Sequence, residues 1–347
     1  MNTPKSIIIS VLFVCGCNSQ NNNSEKNKII ASDSAVGKVE IYDQNALQSI
    51  DSNATIQVIA KGFKWSEGPL WIADKKLLLF SDVPENKIYQ WKPSDTASVY
   101  LKNSGYTGNV PRKGETGSNG LTLDREGRLL LCQSGNRQVV RMNASLDDPK
   151  ADYTVLAAKY QGKKLNSPND LVCDSKGNIY FTDPTYGLPN GDADPERELN
   201  FEGVYKISTD GKLTLLIDSI PKPNGIALSN DEKKLYIASS DNTKPRWYVY
   251  DLDENGNLKN GRVLLNAAPL KENATVKQGP DGFKIDKHGN LIAAGPDGIN
   301  IISPDGKLLG LIKIYDRKTS NCSFDTSNDI LYVTAGDEVL KVALHRQ

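Results

Sequence analysis

Asn169-Asp-Leu-Val-Cys-Asp-Ser-Lys-Gly-Asn-Ile-Tyr-Phe-Thr-Asp183 opens on a polar side chain, runs through a short apolar stretch, turns at Asp-Ser-Lys-Gly-Asn and returns through a second apolar stretch. The same pattern starts at Glu67, Asn119, Asn224, Asp281 and Asn321, so six copies follow one another at spacings of 52, 50, 55, 57 and 40 residues. Repeats of this length, each holding about four short strands, are the signature of propeller blades. Further strand material trails the hairpins, as in Gly203 to Ile207, Leu213 to Ile217 and Trp247 to Tyr250. The sixth copy ends with the chain, after Leu331 to Thr334 and Val339 to Leu344, and lacks a fourth strand. Thr55-Ile-Gln-Val-Ile-Ala60 can supply it from the other end, which removes the open edges that invite aggregation. The expected fold is all-β, a six-bladed β-propeller whose last blade is closed by an N-terminal strand. Gly37 to Ser52 is expected outside the ring, with one helical turn near Gln44 to Ile50.

Outward from the repeats, the first residues have a different character. Lys5 precedes the apolar run Ile7 to Val14, far shorter than the roughly 20 residues a membrane span needs. The run fits the h-region of an export signal. Val14-Cys15-Gly16-Cys17 resembles a lipobox, with Cys17 as the lipidated residue. Residues 1–17 are therefore read as a lipoprotein signal peptide, 18–36 as a flexible tether poor in core-forming side chains, and 37–347 as the propeller. An exported enzyme follows, lipid-anchored to the cell envelope on its periplasmic or cell-surface side, touching the membrane through that anchor alone. Cys132, Cys173 and Cys322 sit in apolar strand-like runs, match no thiolate metal spacing, and are expected to be buried free thiols.

Lys and Arg number 42 against 42 Asp and Glu, and no basic stripe is visible, so no nucleic-acid partner is expected. The chain has two histidines, His288 in a turn and His345 near the C-terminus. Both read as solvated, which leaves no imidazole for a His-activated nucleophile. Oxygen chemistry is richer. The innermost strand of each blade lines a propeller's channel, so the residues that open these strands should ring one mouth: Glu67, Asn119, Asn169, Asn224, Asp281 and Asn321. Each carries a side-chain oxygen, and none offers the His or Cys that zinc usually recruits. Converging carboxylate and amide oxygens suit one hard divalent cation, Ca²⁺ first, with Zn²⁺, Mg²⁺ or Mn²⁺ as alternatives. Taken singly, Asn-Gly and Asp-Gly are ordinary turn dipeptides. Their recurrence at one place in the blades, together with Glu67 before Gly-Pro, is not explained by turns.

Glu67-Gly-Pro69, Ser167-Pro-Asn-Asp170, Pro223-Asn-Gly225 and Pro280-Asp-Gly282 resemble the motifs of the SMP-30/gluconolactonase/LRE-like family. The likeness runs from about Gly62 to Leu344 and includes Asn119 to Asp124, Gly135-Asn-Arg137 and Tyr180 to Pro184. It implies a six-bladed propeller, metal ligands at Glu67, Asn169, Asn224 and Asp281, and Asp170 as a general base or orienting group. It also implies a small sugar lactone or ester as substrate. Asn119, Arg137 and Tyr186 are expected to contact it, beneath loops at Asn103 to Ser118 and Pro184 to Gly203. Trp247 is expected either to stack on the sugar or to pack within a blade. Ser134 departs from the pattern, standing where relatives place a His, so any role of that imidazole is absent here. Two other readings use the same ring: phosphotriester (organophosphate) hydrolysis, and a non-catalytic surface-binding propeller in which the cation is only structural. A regulatory calcium-binding role fits poorly with an exported, acylated chain.

Overall fold

The computed structural model describes Met1 and residues 35–345. The expected signal segment, nearly all of the expected tether and Cys17 lie outside the described residues.

Six antiparallel sheets carry the six copies. Blade 1 holds Ser66–Ile72, Leu77–Asp82, Lys87–Trp91 and Ser98–Lys102. Blade 2 holds Ser118–Leu123, Leu129–Gln133, Gln138–Met142 and Tyr153–Ala157. Blade 3 runs from Leu171–Cys173 through Ile179–Asp183 and Gly203–Ile207 to Leu213–Ile217. Blade 4 runs from Pro223–Leu228 through Lys234–Ser239 and Arg246–Leu252 to Leu258–Asn266. Blade 5 comprises Phe283–Ile285, Leu291–Gly295, Gly298–Ile302 and Leu308–Ile314. Blade 6 has three strands from the C-terminal copy, Asn321–Phe324, Ile330–Ala335 and Glu338–Ala343. Thr55–Lys61 pairs antiparallel with the last of them and completes the blade, as the sequence predicts. Gly37–Ile41 is more than outside packing. It adds a fifth strand to blade 5, pairing with Leu308–Ile314.

A 3₁₀ turn at Gln44–Gln48 follows, capped by the Asp43 side chain, which accepts from Asn45 N. It buries Ala46, and Ile50 beyond it is also buried. Ser49 Oγ donates to Asp286 Oδ2 over 2.5 Å and accepts from Asn290 Nδ2 over 3.0 Å, tying this segment to the blade-5 turn.

Both faces of a blade pack on neighbouring blades. Inner strands therefore read as continuous apolar runs rather than alternating ones. Leu77–Asp82 is buried at every position. The core lies between blades: Leu79 and Ile88 pack with Leu121, Leu129 and Leu131, and Ile299 and Ile301 pack with Leu331 and Val333. Trp247 is fully buried in such an interface, so it serves blade packing and not sugar stacking.

The turns share one device. In Asp174-Ser-Lys-Gly-Asn178 the Asp174 Oδ1 accepts from Lys176 N at 3.0 Å and Asn178 N at 2.7 Å, and Gly177 takes φ +94°. Asp124, Asp253 and Asp286 do the same in their own turns. An Asp side chain that stands in for a backbone acceptor pre-forms the hairpin locally.

Candidate active site

The first strands meet around the channel through one continuous set of hydrogen bonds between blades. Ser81 Oγ donates to Asn119 O at 3.0 Å, and Gly120 N to Asn169 O at 2.7 Å. Thr182 Oγ1 donates to Asn224 O at 2.7 Å, and Ser240 Oγ to Pro280 O at 2.5 Å. Gly282 N donates to Ser320 O, and Ser320 Oγ returns to Ser66 O, each at 2.7 Å, which closes the circle. This closeness explains the glycines that follow the ring residues. A Cβ on Gly68, whose φ is +51°, would lie 2.2 Å from Asn119 O, and one on Gly120 would lie 2.8 Å from Asn169 O. The glycine of each motif makes room for the next blade, a role that turn chemistry alone does not suggest.

Glu67, Asn119, Asn169, Asn224 and Asp281 line one cavity of about 230 Å³ at this mouth, together with Glu115 and Tyr186. Four blades thus deliver the expected ligand set to one place, with Asn119 and Tyr186 on the same wall. Glu67 is 3% exposed, and its Oε2 accepts from Gly68 N at 2.8 Å. Asp281 Oδ1 accepts from Gly282 N at 3.1 Å. Each carboxylate has one oxygen tethered to the following amide and a second to offer. Asn224 Nδ2 donates to Ser240 Oγ at 2.9 Å, leaving its carbonyl oxygen as the free end. Asn169 Oδ1 is buried with no hydrogen-bond partner. An orphaned buried acceptor is costly unless something donates to it or coordinates it. Burial pushes both carboxyls well above the usual carboxylate range. For Asp281 the next cause is the charge of Glu67, and for Glu67 the charge of Asp170 adds to the burial. Two crowded carboxylates and an unpartnered amide oxygen form a donor set that a hard cation would satisfy. Among the described residues no group of three or more His, Cys, Asp or Glu converges as a metal cluster. Here amides supply half of the set.

Asp170 and Asn321 are not among the residues that line this cavity. Asp170, 2% exposed, accepts from Leu171 N at 2.9 Å and from Asn321 Nδ2 at 3.4 Å. Asn321 Oδ1 in turn accepts from Lys284 Nζ at 3.3 Å. Burial raises the Asp170 carboxyl, and the Lys284 ammonium works against that shift. Asp170 is thus held in a buried network next to the lining residues, and its charge acts on both Glu67 and Asp281, which suits an orienting role. Arg137 is also corrected. Its Nε donates to Leu165 O at 2.7 Å and its Nη1 to Glu196 O at 2.9 Å, so it ties chain segments together and does not line the cavity. The sequence suggests it through Gly135-Asn-Arg, but Arg137 sits in that turn at φ +61°, and its side chain goes to Leu165 and Glu196, which the local sequence does not reveal. Ser134 is buried, donates to Pro168 O at 3.1 Å and packs beneath Gly187. His288 is exposed, and His345 lies 3.5 Å from Asp51 Oδ1. Cys132 and Cys322 are buried free thiols and Cys173 a half-buried one, with burial pushing Cys322 up to about 12.

Glu115 is the residue that motif reading misses. It comes from a long loop outside the repeat, so no period marks it. Its Oε2 is buried without a partner, and burial raises its carboxyl to about 7. Arg112 donates to Gly135 O and, at 2.9 Å, to Gly187 O, joining the two expected loops over the mouth.

A family model described as SMP-30/Gluconolactonase/LRE-like region matches residues 65–337, which include all six ring positions. The chain is 38% identical over 312 residues to a gluconolactonase of Zymomonas mobilis, covering 89% of this chain and 86% of that protein. A solved gluconolactonase of Xanthomonas campestris superposes with a TM-score of 0.75 at 29% identity, over 89% of this chain and 95% of that one. The calcium-binding protein regucalcin of Agrobacterium tumefaciens has the same fold, with a TM-score of 0.63 at 15% identity over 83% and 92% of the two chains. The chain belongs to the SMP-30/gluconolactonase/LRE-like family.

Proposed function

We propose that this protein hydrolyses a sugar lactone at the channel mouth, with one divalent cation, Ca²⁺ first, held by Glu67, Asn169, Asn224 and Asp281. The observation that carries the reading is the convergence of these side chains from four blades on one cavity, with Asn169 Oδ1 buried and unpartnered. The gluconolactonase relative, aligned over most of both chains, supports the reaction class. When bound, the cation would polarise the lactone carbonyl and offset the charge that develops on its oxygen. We assign two tasks to the Asp281 carboxylate, an oxygen toward the cation and acceptance of the attacking water's proton, with Gly282 N holding its orientation. The water oxygen bonds to the carbonyl carbon, the ring C–O bond breaks, and a proton goes to the departing ring oxygen, giving a hydroxy acid. Asn119 and Tyr186 present polar groups to the substrate from the cavity wall. Asp170 holds the base of the site through Leu171 N and Asn321.

Asp281→Ala and Glu67→Ala should each remove measurable cation binding and cut lactone turnover by at least about 100-fold, as loss of a principal electrostatic element does, while far-UV circular dichroism stays that of a β-propeller. Lactone turnover retained by metal-free Asp281→Ala would refute the assignment. Aldonolactones run beside paraoxon-like esters, with and without chelator, separate the lactonase from a phosphotriesterase. Cation removal that lowers stability with no substrate turned over at all would favour the binding propeller.

A further inference from the structure

We infer that Glu115 selects polyhydroxylated lactones over bare ones by accepting hydrogen bonds from hydroxyls on the substrate ring. The inference rests on the lactonase reading and names the substrate class for it.

Glu115 shares the cavity with Glu67, Asn169, Asn224 and Asp281 yet comes from the loop between blades 1 and 2, not from an inner strand. Its Oε2 is withdrawn from water and has no partner. A buried charged acceptor without a donor is strongly unfavourable, and a donor brought by a ligand relieves the penalty. The loop's own bonds fix the backbone beside Glu115. Tyr106 N donates to Thr116 O and Gly117 N to Val83 O, both at 2.7 Å, and Thr116 Oγ1 donates to Pro84 O at 3.2 Å. Arg112 fixes the preceding stretch to Gly135 and Gly187. A carboxylate that lines the reaction cavity has acceptor sites for substrate hydroxyls. An unhydroxylated ring would leave this acceptor unpaired. Sites that hydrogen-bond substrate hydroxyls discriminate strongly against analogues lacking them.

The test uses the full Ca²⁺-loaded protein with Glu115→Gln, which keeps the shape, and Glu115→Ala as a second variant, each checked by thermal melting. Kinetics are compared on D-glucono-1,5-lactone and on δ-valerolactone. The ratio of kcat/KM, hydroxylated over bare, should fall about 10-fold or more in Glu115→Gln, the size expected for a hydrogen bond to a charged group. The loss should sit mainly in KM. An unchanged ratio overturns the inference, as does an equal loss on both lactones. A tenfold weaker Ca²⁺ affinity in Glu115→Gln also overturns it, because Glu115 is then a cation ligand. Should the wild type open neither lactone, the lactonase reading fails by itself. Calorimetry with 1,5-anhydro-D-glucitol, a ring polyol without a carbonyl, then decides on Glu115: weaker binding by the variant sustains its hydroxyl role, and equal binding removes it.

Discussion

At the scale of single residues, the site is defined by oxygens that lack partners. Asn169 Oδ1 and Glu115 Oε2 are buried and unbonded, and Glu67 and Asp281 crowd two carboxyls into a low-dielectric mouth. Burial raises both ring carboxyls, so the folded metal-free protein holds their protons more tightly than the unfolded chain does. Stability therefore falls as pH rises out of the usual carboxylate range toward and past neutrality. In chelator, the melting temperature should drop between about pH 5 and about pH 8. Ca²⁺ competes with those protons, so its affinity, read by calorimetry, should rise over the same interval. A chelated protein whose melting temperature is flat or climbs with pH contradicts this account. The same scale shows where motif reading stops. Ser167-Pro-Asn-Asp170 marks two adjacent residues, yet Asn169 lines the cavity and Asp170 lies in the buried network with Lys284 and Asn321. The two precede the strand Leu171–Cys173 and their side chains have different surroundings, so a motif names both without saying which one meets the substrate.

At the scale of elements, the hairpin turn is the recurring unit. Asp174 accepts from Lys176 N, Asn178 N and Asn178 Nδ2. Asp174→Ala should cost about 1–3 kcal/mol, since it strips several backbone and side-chain donors of their acceptor. Urea denaturation should show a lower midpoint with the slope unchanged, and lactone turnover per folded molecule should hold, because the turn is not part of the site. A wild-type midpoint would mean that the turn forms without its side chain. These turns were legible because their chemistry is local: Asp, Gly and Asn at set offsets recur wherever a hairpin is needed. The loop at Asn103 to Ser118 has no such code. Its length pointed to the mouth, but nothing in its residues singled out Glu115, whose position depends on Arg112 reaching Gly135 and Gly187 across two other segments.

At the scale of the whole molecule, closure is what turns six sheets into a site. The ring is sealed by Thr55–Lys61 against Glu338–Ala343 and by Ser320 Oγ reaching Ser66 O. Removing residues up to Lys61 would open blade 6 and expose a long unpaired edge beside an apolar core. The truncated protein should aggregate in size-exclusion chromatography or lose cooperative melting, and a monomeric, sharply melting truncation would show that the fourth strand is dispensable. The sequence by itself determined the blade count and the ring of six oxygen side chains that open the copies, because both are carried by a local pattern repeated along the chain. The strand missing from the last copy pointed to Thr55–Lys61, and the choice of four of the six as ligands is what the family resemblance implies. Only the tertiary structure decided which of those side chains share a level. It joined Asn321 and Asp170 in a hydrogen bond outside the lining set, committed Arg137 to Leu165 and Glu196, and brought Glu115 in from outside the repeat. The physical reason is that the direction of a side chain near the channel is set by the neighbouring blade, which lies about fifty residues away and leaves no trace in the local pattern.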